Sequence, residues 1–363
     1  MKRDKQIYSR LELFDWEEMY DIKTLLAKKP FRLTDIDLLG RKKTVELALL
    51  YYRKNGFPYY KIEKEKAEKI FKKLQDYDSN LVCENDIFSQ DMKGLSLAWQ
   101  YFPHAFDVLT GKSTKTPLKQ FNNDDSFRVC LNKVFDWCVK HEDAKMSENR
   151  IRQGLKFFGG INGVSNFRPT VAKYIYDNYS GHGVVWDMCA GWGGRLLGAL
   201  VSSKVKKYIG TEPSTKTFQG LNKLAKDFLP HCKNKKIEIH NRTCEDFIQK
   251  PHSLDLCFTS PPYFDTEKYS TETTQSCLRY PTRQKWKEGF LFKTLKLCHV
   301  YLKINGYLVI NIANVKTYPD LEDVMEVYCR KLGFFFIKKY KMILSSNSGR
   351  GVKYEPVFVF KKK

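Results

Sequence analysis

The residues with the clearest chemical potential form a Ser-Pro-Pro-Tyr turn that directly follows a short apolar run. Pro261 and Pro262 each fix the backbone φ angle and remove an N–H donor, so their carbonyl oxygens remain as rigidly aimed acceptors. The Ser260 hydroxyl and the Pro261 carbonyl could hold the N–H groups of an aromatic amine, a poor nucleophile because its lone pair is delocalised into the ring. Tyr263 would stack against such a base, and Phe264 would add a second apolar wall. The pattern predicts catalytic roles for Ser260, Pro261, Pro262 and Tyr263.

A second candidate site is a glycine-rich turn that also follows a β-branched run. Gly191 and Gly193 would let the backbone approach a ligand closely, because neither carries a Cβ. The helix that follows would offer its unpaired N–H groups to the same ligand. Asp187, at the end of the strand, could pair with a cationic ligand, and Cys189 and Ala190 complete the predicted cofactor-binding turn.

Polar residues follow the next two predicted strands as well. Glu212, with Pro213 after it, is placed to hold two ribose hydroxyls. Cys244, Glu245 and Asp246 follow the third strand, where a polar side chain and a backbone N–H could recognise an adenine edge. Ligands of open α/β sheets lie outside the carboxyl ends of the strands, so three such turns in order predict one cofactor site.

The elements that must position these turns alternate between strand and helix after about residue 150. This alternation predicts an α/β fold with a mostly parallel sheet covered by helices. The final two strands follow each other through a Ser/Asn/Gly region, Ser345–Val352, which predicts an antiparallel hairpin at the end of the sheet. The predicted strands are Gly183–Trp186, Lys207–Gly210, Lys236–His240, Leu254–Thr259, Tyr307–Ile312, Phe334–Ile343 and Val357–Phe360.

The first part of the chain has a different, mainly helical character. Apolar residues recur there at three- and four-residue spacing, opposite charged faces, over Leu11–Lys28, Lys43–Asn55, Glu63–Tyr77 and Phe127–His141. The sequence therefore predicts a helical accessory domain over residues 1–150 and a catalytic domain over residues 151–363.

The catalytic half resembles the class I S-adenosylmethionine-dependent DNA amino-methyltransferases, the N6-adenine and N4-cytosine families. Asp187–Arg195 resembles their cofactor-binding loop, Glu212 their ribose-binding acid and Ser260–Tyr263 their catalytic tetrapeptide. Phe167 and Arg168 resemble the segment that closes the methionine end of the cofactor site. Trp192 departs from the family pattern, which usually has a small or polar residue there.

This resemblance implies a Rossmann-like class I methyltransferase sheet, mostly parallel with an antiparallel last strand. It implies S-adenosylmethionine as cofactor, with Ser260 also in the cofactor-binding set, and a base flipped out of double-stranded DNA as substrate. Serine at the first tetrapeptide position is more usual for N4-cytosine enzymes, so N4 of cytosine is favoured over N6 of adenine. A cognate restriction enzyme is a partner that the resemblance allows.

The charge balance also favours a polyanionic partner. The chain has 63 Lys and Arg residues against 41 Asp and Glu residues, a formal net charge of +22, and nucleic acid is the commonest partner of such a surface. A generally basic proteome without a special partner would give the same balance. Arg279 and Arg283, in the polar loop Asp265–Arg283, could meet phosphates or be solvated. Too few residues separate the two motifs to hold a recognition domain, so target recognition is assigned to residues 1–150.

Other site classes find less support in the sequence. The ten cysteines contain no Cys-x-x-Cys pair and the histidines have no metal-ligand spacing, so no metal site is predicted. The N-terminus lacks an apolar signal region and no apolar run could span a bilayer, which predicts a cytoplasmic protein. Two alternatives remain open: an RNA or protein (glutamine) amino-methyltransferase, and a catalytically inactive DNA-binding accessory protein with a methyltransferase fold.

Overall fold

A computed structural model describes residues 33–111, 113–141, 146–158, 161, 163–347 and 351–363. The chain forms two compact units, Met1–Tyr59 with Phe106–Gly163, and Tyr60–Ala105 with Val164–Lys363. The predicted helix Leu11–Lys28 lies outside the described residues. Within the described ranges, no helix is both long and apolar enough to cross a membrane.

The described residues form thirteen α-helices and eleven strands. The α-helices are α1 Leu33–Asn55, α2 Lys64–Gln75, α3 Leu95–Trp99, α4 Pro117–Asn122, α5 Asp124–Lys140, α6 Glu148–Phe157, α7 Pro169–Tyr179, α8 Gly194–Val201, α9 Thr215–Phe228, α10 Ser276–Arg279, α11 Arg283–Trp286, α12 Lys293–Tyr301 and α13 Leu321–Lys331. The strands are β1 Cys83–Glu84, β2 Ile87–Phe88, β3 Leu109–Thr110, β4 Val184–Asp187, β5 Lys207–Thr211, β6 Lys236–His240, β7 Leu254–Thr259, β8 Glu267–Lys268, β9 Leu302–Asn311, β10 Phe334–Asn347 and β11 Gly351–Lys362. Short 3-10 turns lie at Ser79–Val82, Pro103–Asp107, Leu229–His231 and Cys244–Asp246, and a π-helical turn spans Lys287–Phe292.

The first unit is mainly helical, as its amphipathic patterns predict. Asn123 caps α5, because its side chain accepts a hydrogen bond at 2.9 Å from the backbone N–H three residues later. The buried residues of α5 then recur at three- and four-residue spacing along one face. The predicted helices Lys43–Asn55 and Phe127–His141 are confirmed within α1 and α5, apart from one residue at the end of α5.

The second unit is built on one nine-stranded sheet with the strand order β1-β2-β10-β11-β9-β7-β4-β5-β6. Strands β4, β5, β6, β7 and β9 run parallel, and β11 lies antiparallel between β9 and β10. This confirms the predicted α/β, Rossmann-like sheet with an antiparallel last strand. From β4 the chain builds outward through β5 and β6 on one side and through β7 and β9 on the other. The order reverses between β4 and β7, where an open α/β sheet binds its ligands.

Burial explains why the central strands could be recognised in the sequence. β4 and β7 are almost entirely buried, so their residues are mostly apolar on both faces, with Asp255 as the polar exception inside β7. The predicted strands Lys236–His240 and Leu254–Thr259 have the same bounds in the structure. β10 and β11 are longer than predicted, because they pair as far as Asn347 opposite Gly351, beyond the end of β9.

The division between the units differs from the predicted boundary near residue 150. Tyr60–Ala105, expected in the accessory domain, groups with the sheet. Phe102 packs against α9 so closely that a Cβ on Gly220 would lie 2.6 Å from its ring. Phe71 of α2 stacks on Phe228 of α9, with ring centroids 4.7 Å apart. Tyr60–Ala105 therefore covers an apolar face of α9, which packs on the sheet. The spacing of apolar residues in the sequence could not indicate this contact.

Candidate active site

Asp187, at the carboxyl end of β4, is the centre of a buried hydrogen-bond network. Its side chain is fully buried, and its Oδ2 accepts from Arg195 Nε and from the Tyr208 hydroxyl, both at 2.9 Å. Its Oδ1 accepts from the Thr259 hydroxyl at 3.1 Å. The predicted pairing of Asp187 with a cationic ligand is therefore corrected: the cation that it binds is Arg195 of the same chain, and its role is structural.

Thr259 places the two motifs side by side. It is the last residue of β7, and its hydroxyl oxygen also accepts a hydrogen bond at 3.1 Å from the backbone N–H of Cys189 in the glycine-rich turn. Ser260, the first residue of the Ser-Pro-Pro-Tyr turn, follows it directly. The turn therefore begins beside the glycine-rich turn at the switch point between β4 and β7.

The glycine-rich turn is clamped on one side and open on the other. Asn166 donates to the Trp192 carbonyl at 2.8 Å and accepts from the Gly194 N–H at 3.2 Å. Gly191 is partly exposed with a φ of +55°, and a Cβ placed there would meet the Cys189 carbonyl oxygen at 3.6 Å, an ordinary contact without a clash. At Gly193 such a Cβ would be only 2.9 Å from Leu224 and Phe102, so this glycine serves packing.

The remaining residues of the turn are held by backbone contacts and packing. The buried Ala190 donates its N–H to the Thr211 carbonyl at 3.0 Å. Trp192 is buried among aromatic rings, with centroid distances of 5.3 Å to His104 and 5.9 Å to Tyr269. Trp192, which departs from the family pattern, therefore packs the glycine-rich turn against His104 and Tyr269.

Glu212, after β5, lies beside the open glycine. Its Oε2 accepts the Gly191 N–H at 2.9 Å, and its Oε1 accepts the Ser214 N–H at 3.0 Å. Burial raises the pKa of Glu212 to about 7, although these two N–H groups favour the ionised form. Each carboxylate oxygen keeps a second lone pair, so Glu212 can still accept from a ligand's hydroxyl groups. Pro213 contributes its carbonyl to Asn241 Nδ2, at 3.1 Å.

The Ser-Pro-Pro-Tyr turn is itself tied to the end of β9. The Tyr263 hydroxyl lies 3.4 Å from Ser260 Oγ and donates to the carbonyl of Asn311 at 3.2 Å. The Tyr263 carbonyl accepts from the Thr266 hydroxyl at 2.8 Å. Ser260, Pro262 and Tyr263 are partly buried and Pro261 is buried, so the turn is a fixed part of the sheet edge.

Phe264, predicted as a second wall for the substrate, instead belongs to the core. It has a φ of +57° and is only 8% exposed. Its ring meets Trp286 and Tyr318 edge to face, with centroid distances of 5.9 and 6.3 Å. The left-handed backbone turns this side chain inward, which the residue type alone did not indicate.

The predicted adenine-edge acids are engaged with the loop Asp265–Arg283. Arg279 Nη1 lies 2.9 Å from Glu245 Oε1 and 2.5 Å from Asp246 Oδ2. The guanidinium of Arg279 thus holds the loop to the end of β6, and its predicted contact with phosphate stays a prediction. Cys244 is buried, with its sulfur 3.3 Å from the Thr294 hydroxyl.

The same loop has a second anchor at the start of α9. Glu272 accepts from the Thr215 N–H at 3.0 Å and from its hydroxyl at 2.9 Å. Arg283, the other predicted phosphate ligand, has its guanidinium 5.6 Å from the centre of the Tyr318 ring. Its predicted contact with phosphate stays a prediction.

Phe167 and Arg168 shape the site indirectly. Phe167 is buried, with its ring edge-on to Phe258 at 5.3 Å. Arg168 is 5% exposed and donates to the carbonyls of Ser89, at 2.9 Å, and Ile343. The guanidinium therefore joins segments of the second unit, and the predicted contact of Arg168 with a cofactor is replaced by this structural role.

Sequence reasoning missed two carboxyl groups beside the Ser-Pro-Pro-Tyr turn. Glu355 of β11 accepts from Asn311 Nδ2 at 3.3 Å, and Glu267 is hydrogen-bonded to the Tyr269 hydroxyl. Burial raises the pKa of Glu267 to about 7, and the negative charge of Glu355 contributes to the rise. No single motif contains both residues, because Glu355 reaches the site only through the antiparallel strand β11.

Comparisons with known proteins return only distant structural similarities. The chain matches no protein-family model and no curated protein. It is similar to a methyltransferase from Pyrococcus furiosus, at 16% identity over 57% of this chain and 91% of that one, with a TM-score of 0.38. It is similar to a SAM-dependent O-methyltransferase from Thermotoga maritima, at 10% identity over 55% and 67%, with a TM-score of 0.38. It is also similar to a putative RNA methyltransferase from Pyrococcus horikoshii, at 16% identity over 53% and 83%, with a TM-score of 0.35.

The buried pair of Asp187 and Arg195 leads to a prediction about stability. Arg195→Met should lower the free energy of unfolding by about 3–5 kcal/mol, because it leaves a buried carboxylate without its cation. Arg330→Met removes an exposed ion pair with Glu326 on α13 and should cost less than about 1 kcal/mol. Urea unfolding followed by circular dichroism measures both. Equal losses in the two variants would show that the Asp187 network does not hold the site together.

Proposed function

We propose that this chain is an S-adenosylmethionine-dependent methyltransferase that acts on an exocyclic amino group of a nucleic-acid base. The observation that carries the proposal is the placement of Thr259. Its hydroxyl binds Cys189 of the glycine-rich turn and Asp187, while its backbone leads directly into Ser260. A turn that suits a nucleotide-like cofactor and a turn that suits an aromatic amine thus begin at the same switch point of the sheet.

The residues at the glycine-rich turn fit the cofactor in part. Gly191 provides a partly exposed, left-handed backbone without a side chain, and Glu212 provides acceptors for the ribose hydroxyls. Asp187 does not fit the cofactor's amino group, since it is fully buried with Arg195. When bound, the cofactor would supply an electrophilic methyl group on a sulfonium.

The chain's own residues then act on the amine. Ser260 Oγ and the Pro261 carbonyl would accept its N–H groups, and the partly buried Tyr263 ring would stack on the base. Holding the nitrogen close and in line with the methyl group supplies the catalysis through proximity and orientation. This route needs no covalent intermediate on the protein.

DNA is the proposed polymer, and N4 of cytosine is the preferred atom over N6 of adenine. The net charge of +22 supports a nucleic-acid substrate, and Ser260 in place of an acidic or amide residue supports cytosine through the family resemblance. Methylation of RNA or of a protein glutamine, and cofactor binding without turnover, are the competing outcomes that the next experiment separates.

Expression in a host without DNA methylation should deposit N4-methylcytosine in the DNA. Mass spectrometry of hydrolysed DNA, RNA and protein measures the products. The double variant Ser260→Ala with Tyr263→Ala should lower the signal at least about a hundred-fold, because it removes an acceptor and the stacking ring. Ser253→Ala, which changes an exposed hydroxyl bonded to the Lys250 carbonyl, is the control. Full activity in the double variant would reject the site.

Gly191 allows a matched test of cofactor binding. Gly191→Ala should weaken the binding of S-adenosylhomocysteine at least about ten-fold, because the new methyl group would stand where the cofactor approaches the backbone. Gly181→Ala has a similar conformational cost of about 1–2 kcal/mol, since Gly181 has a φ of +58°, and a Cβ there, as at Gly191, would meet no clash. Isothermal titration calorimetry measures both affinities. An equal loss in the two variants would place the cofactor elsewhere.

Glu212 should make cofactor affinity depend on pH. Its pKa is raised to about 7, so the carboxylate that accepts ribose hydroxyls is lost as the pH falls through that value. The affinity of the wild type should rise several-fold between pH 5.5 and 7.5, by at most about ten-fold per pH unit below the pKa. Glu212→Gln should show a flat profile over the same range. A pH-dependent profile that Glu212→Gln leaves unchanged would assign the titration to another group.

A further inference from the structure

Two carboxyl groups face the catalytic turn from different elements of the second unit. Glu267 lies in β8, four residues after Tyr263, and Glu355 lies in β11 next to the strand end that holds the Tyr263 hydroxyl. Asn311 joins the two features, because its carbonyl accepts from Tyr263 at 3.2 Å and its amide donates to Glu355 at 3.3 Å. Glu267 is held from its own loop by the Tyr269 hydroxyl.

Neither carboxyl group is neutralised by a salt bridge within the described residues. The neighbouring positive charges are those of Arg168 and Lys353, which act on Glu355 at a distance. The neighbouring titratable groups are Tyr263 and Tyr269, whose pKa values burial raises well above the ordinary range. Burial also raises the pKa of Glu355, although the charges of Lys353 and Arg168 oppose this rise.

An amine that gains a methyl group must lose a proton, and the catalytic turn offers no group to take it. The Ser260 hydroxyl and the Pro261 carbonyl accept hydrogen bonds but are very weak bases. A carboxylate close to the turn has the required basicity, and a pKa near neutrality suits a general base. Two unpaired carboxylates also attract N–H donors and repel the carbonyl oxygen of a keto base.

We propose that Glu267 and Glu355 form the amino-group site of this enzyme, with Glu267 as the proton acceptor and Glu355 as the second acceptor that selects amino-bearing bases. The inference rests on the proposed function. The nitrogen lone pair forms the new N–C bond while the methyl–sulfur bond breaks, and its electron pair stays on sulfur. The surplus proton on nitrogen passes to the Glu267 carboxylate and then to solvent.

The first test is a binding measurement that requires no turnover. Fluorescence anisotropy compares oligo(dC), oligo(dA) and oligo(dT) of equal length on the cofactor-free protein at pH 8. The wild type should prefer oligo(dC) and oligo(dA) over oligo(dT) by about ten-fold, the scale of discrimination by a pair of base contacts. Glu267→Gln and Glu355→Gln should each reduce this preference to within about two-fold, since a glutamine amide can donate to a keto oxygen.

Glu326→Gln makes the same chemical change on the exposed face of α13 and should keep the wild-type preference. The same result in Glu267→Gln or Glu355→Gln would overturn the proposal, as would a wild type that binds all three oligonucleotides equally. Circular dichroism melts of each variant must match the wild type, and Glu267→Asp, which keeps the carboxylate, should retain the preference if Glu267→Gln fails to fold.

The second test separates the inference from the proposed function. In single-turnover methylation the wild-type rate should rise with pH through about 7 as Glu267 ionises, and Glu267→Gln should be at least about a hundred-fold slower without that rise. Methylation with an unchanged pH profile in Glu267→Gln would overturn the inference and leave the function intact. A wild type that prefers oligo(dC) and oligo(dA) but methylates nothing, with that preference lost in Glu267→Gln, would support the amino-group site and reject the function.

Discussion

The site depends on one buried charge. Asp187 is fully buried, and a carboxylate in that position is tolerated only with a cation and hydrogen-bond donors around it. Its three donors come from different elements: Arg195 from α8, Tyr208 from β5 and Thr259 from β7. Satisfying this one group therefore sets the positions of the glycine-rich turn, the neighbouring strand and the start of the catalytic turn relative to one another.

The polar groups around this network divide into two kinds. The first kind is paired with other groups of the chain and holds the loop Asp265–Arg283 against the sheet edge. Arg279 pairs with Glu245 and Asp246, and Glu272 accepts hydrogen bonds from Thr215. Glu212, Glu267 and Glu355 form no salt bridge within the described ranges, and burial raises the pKa of each. Buried acids without a salt bridge are costly in a folded protein, which is why these three are the candidates for functional groups.

Much of the sheet could be predicted because the physics of its strands is local. Parallel strands buried on both faces must be apolar runs, and Leu254–Thr259 is visible as such in the sequence. The turns that follow the strands also lie where the strand order places them. The roles of residues within those turns were less predictable, because the side chains that surround Asp187, Arg279 and Phe264 in the fold decide what each residue does. A sequence shows the charge of Arg279 but not that Glu245 and Asp246 already neutralise it.

Electrostatics explains why an uncharged Ser260 suits a turn that faces two carboxylates from other parts of the sequence. An acidic residue at position 260 would add a negative charge to the turn whose Tyr263 already feels the charges of Glu267 and Glu355, and like charges raise one another's pKa. Serine keeps an acceptor at the turn and adds no charge, so Glu267 and Glu355 can remain the acids that meet the amine. In the proposed site the tetrapeptide supplies geometry, while the basicity comes from Glu267 of β8 and Glu355 of β11. Because β11 is antiparallel, its first residues reach the same edge at which the parallel strands end, and this brings Glu355 to the turn.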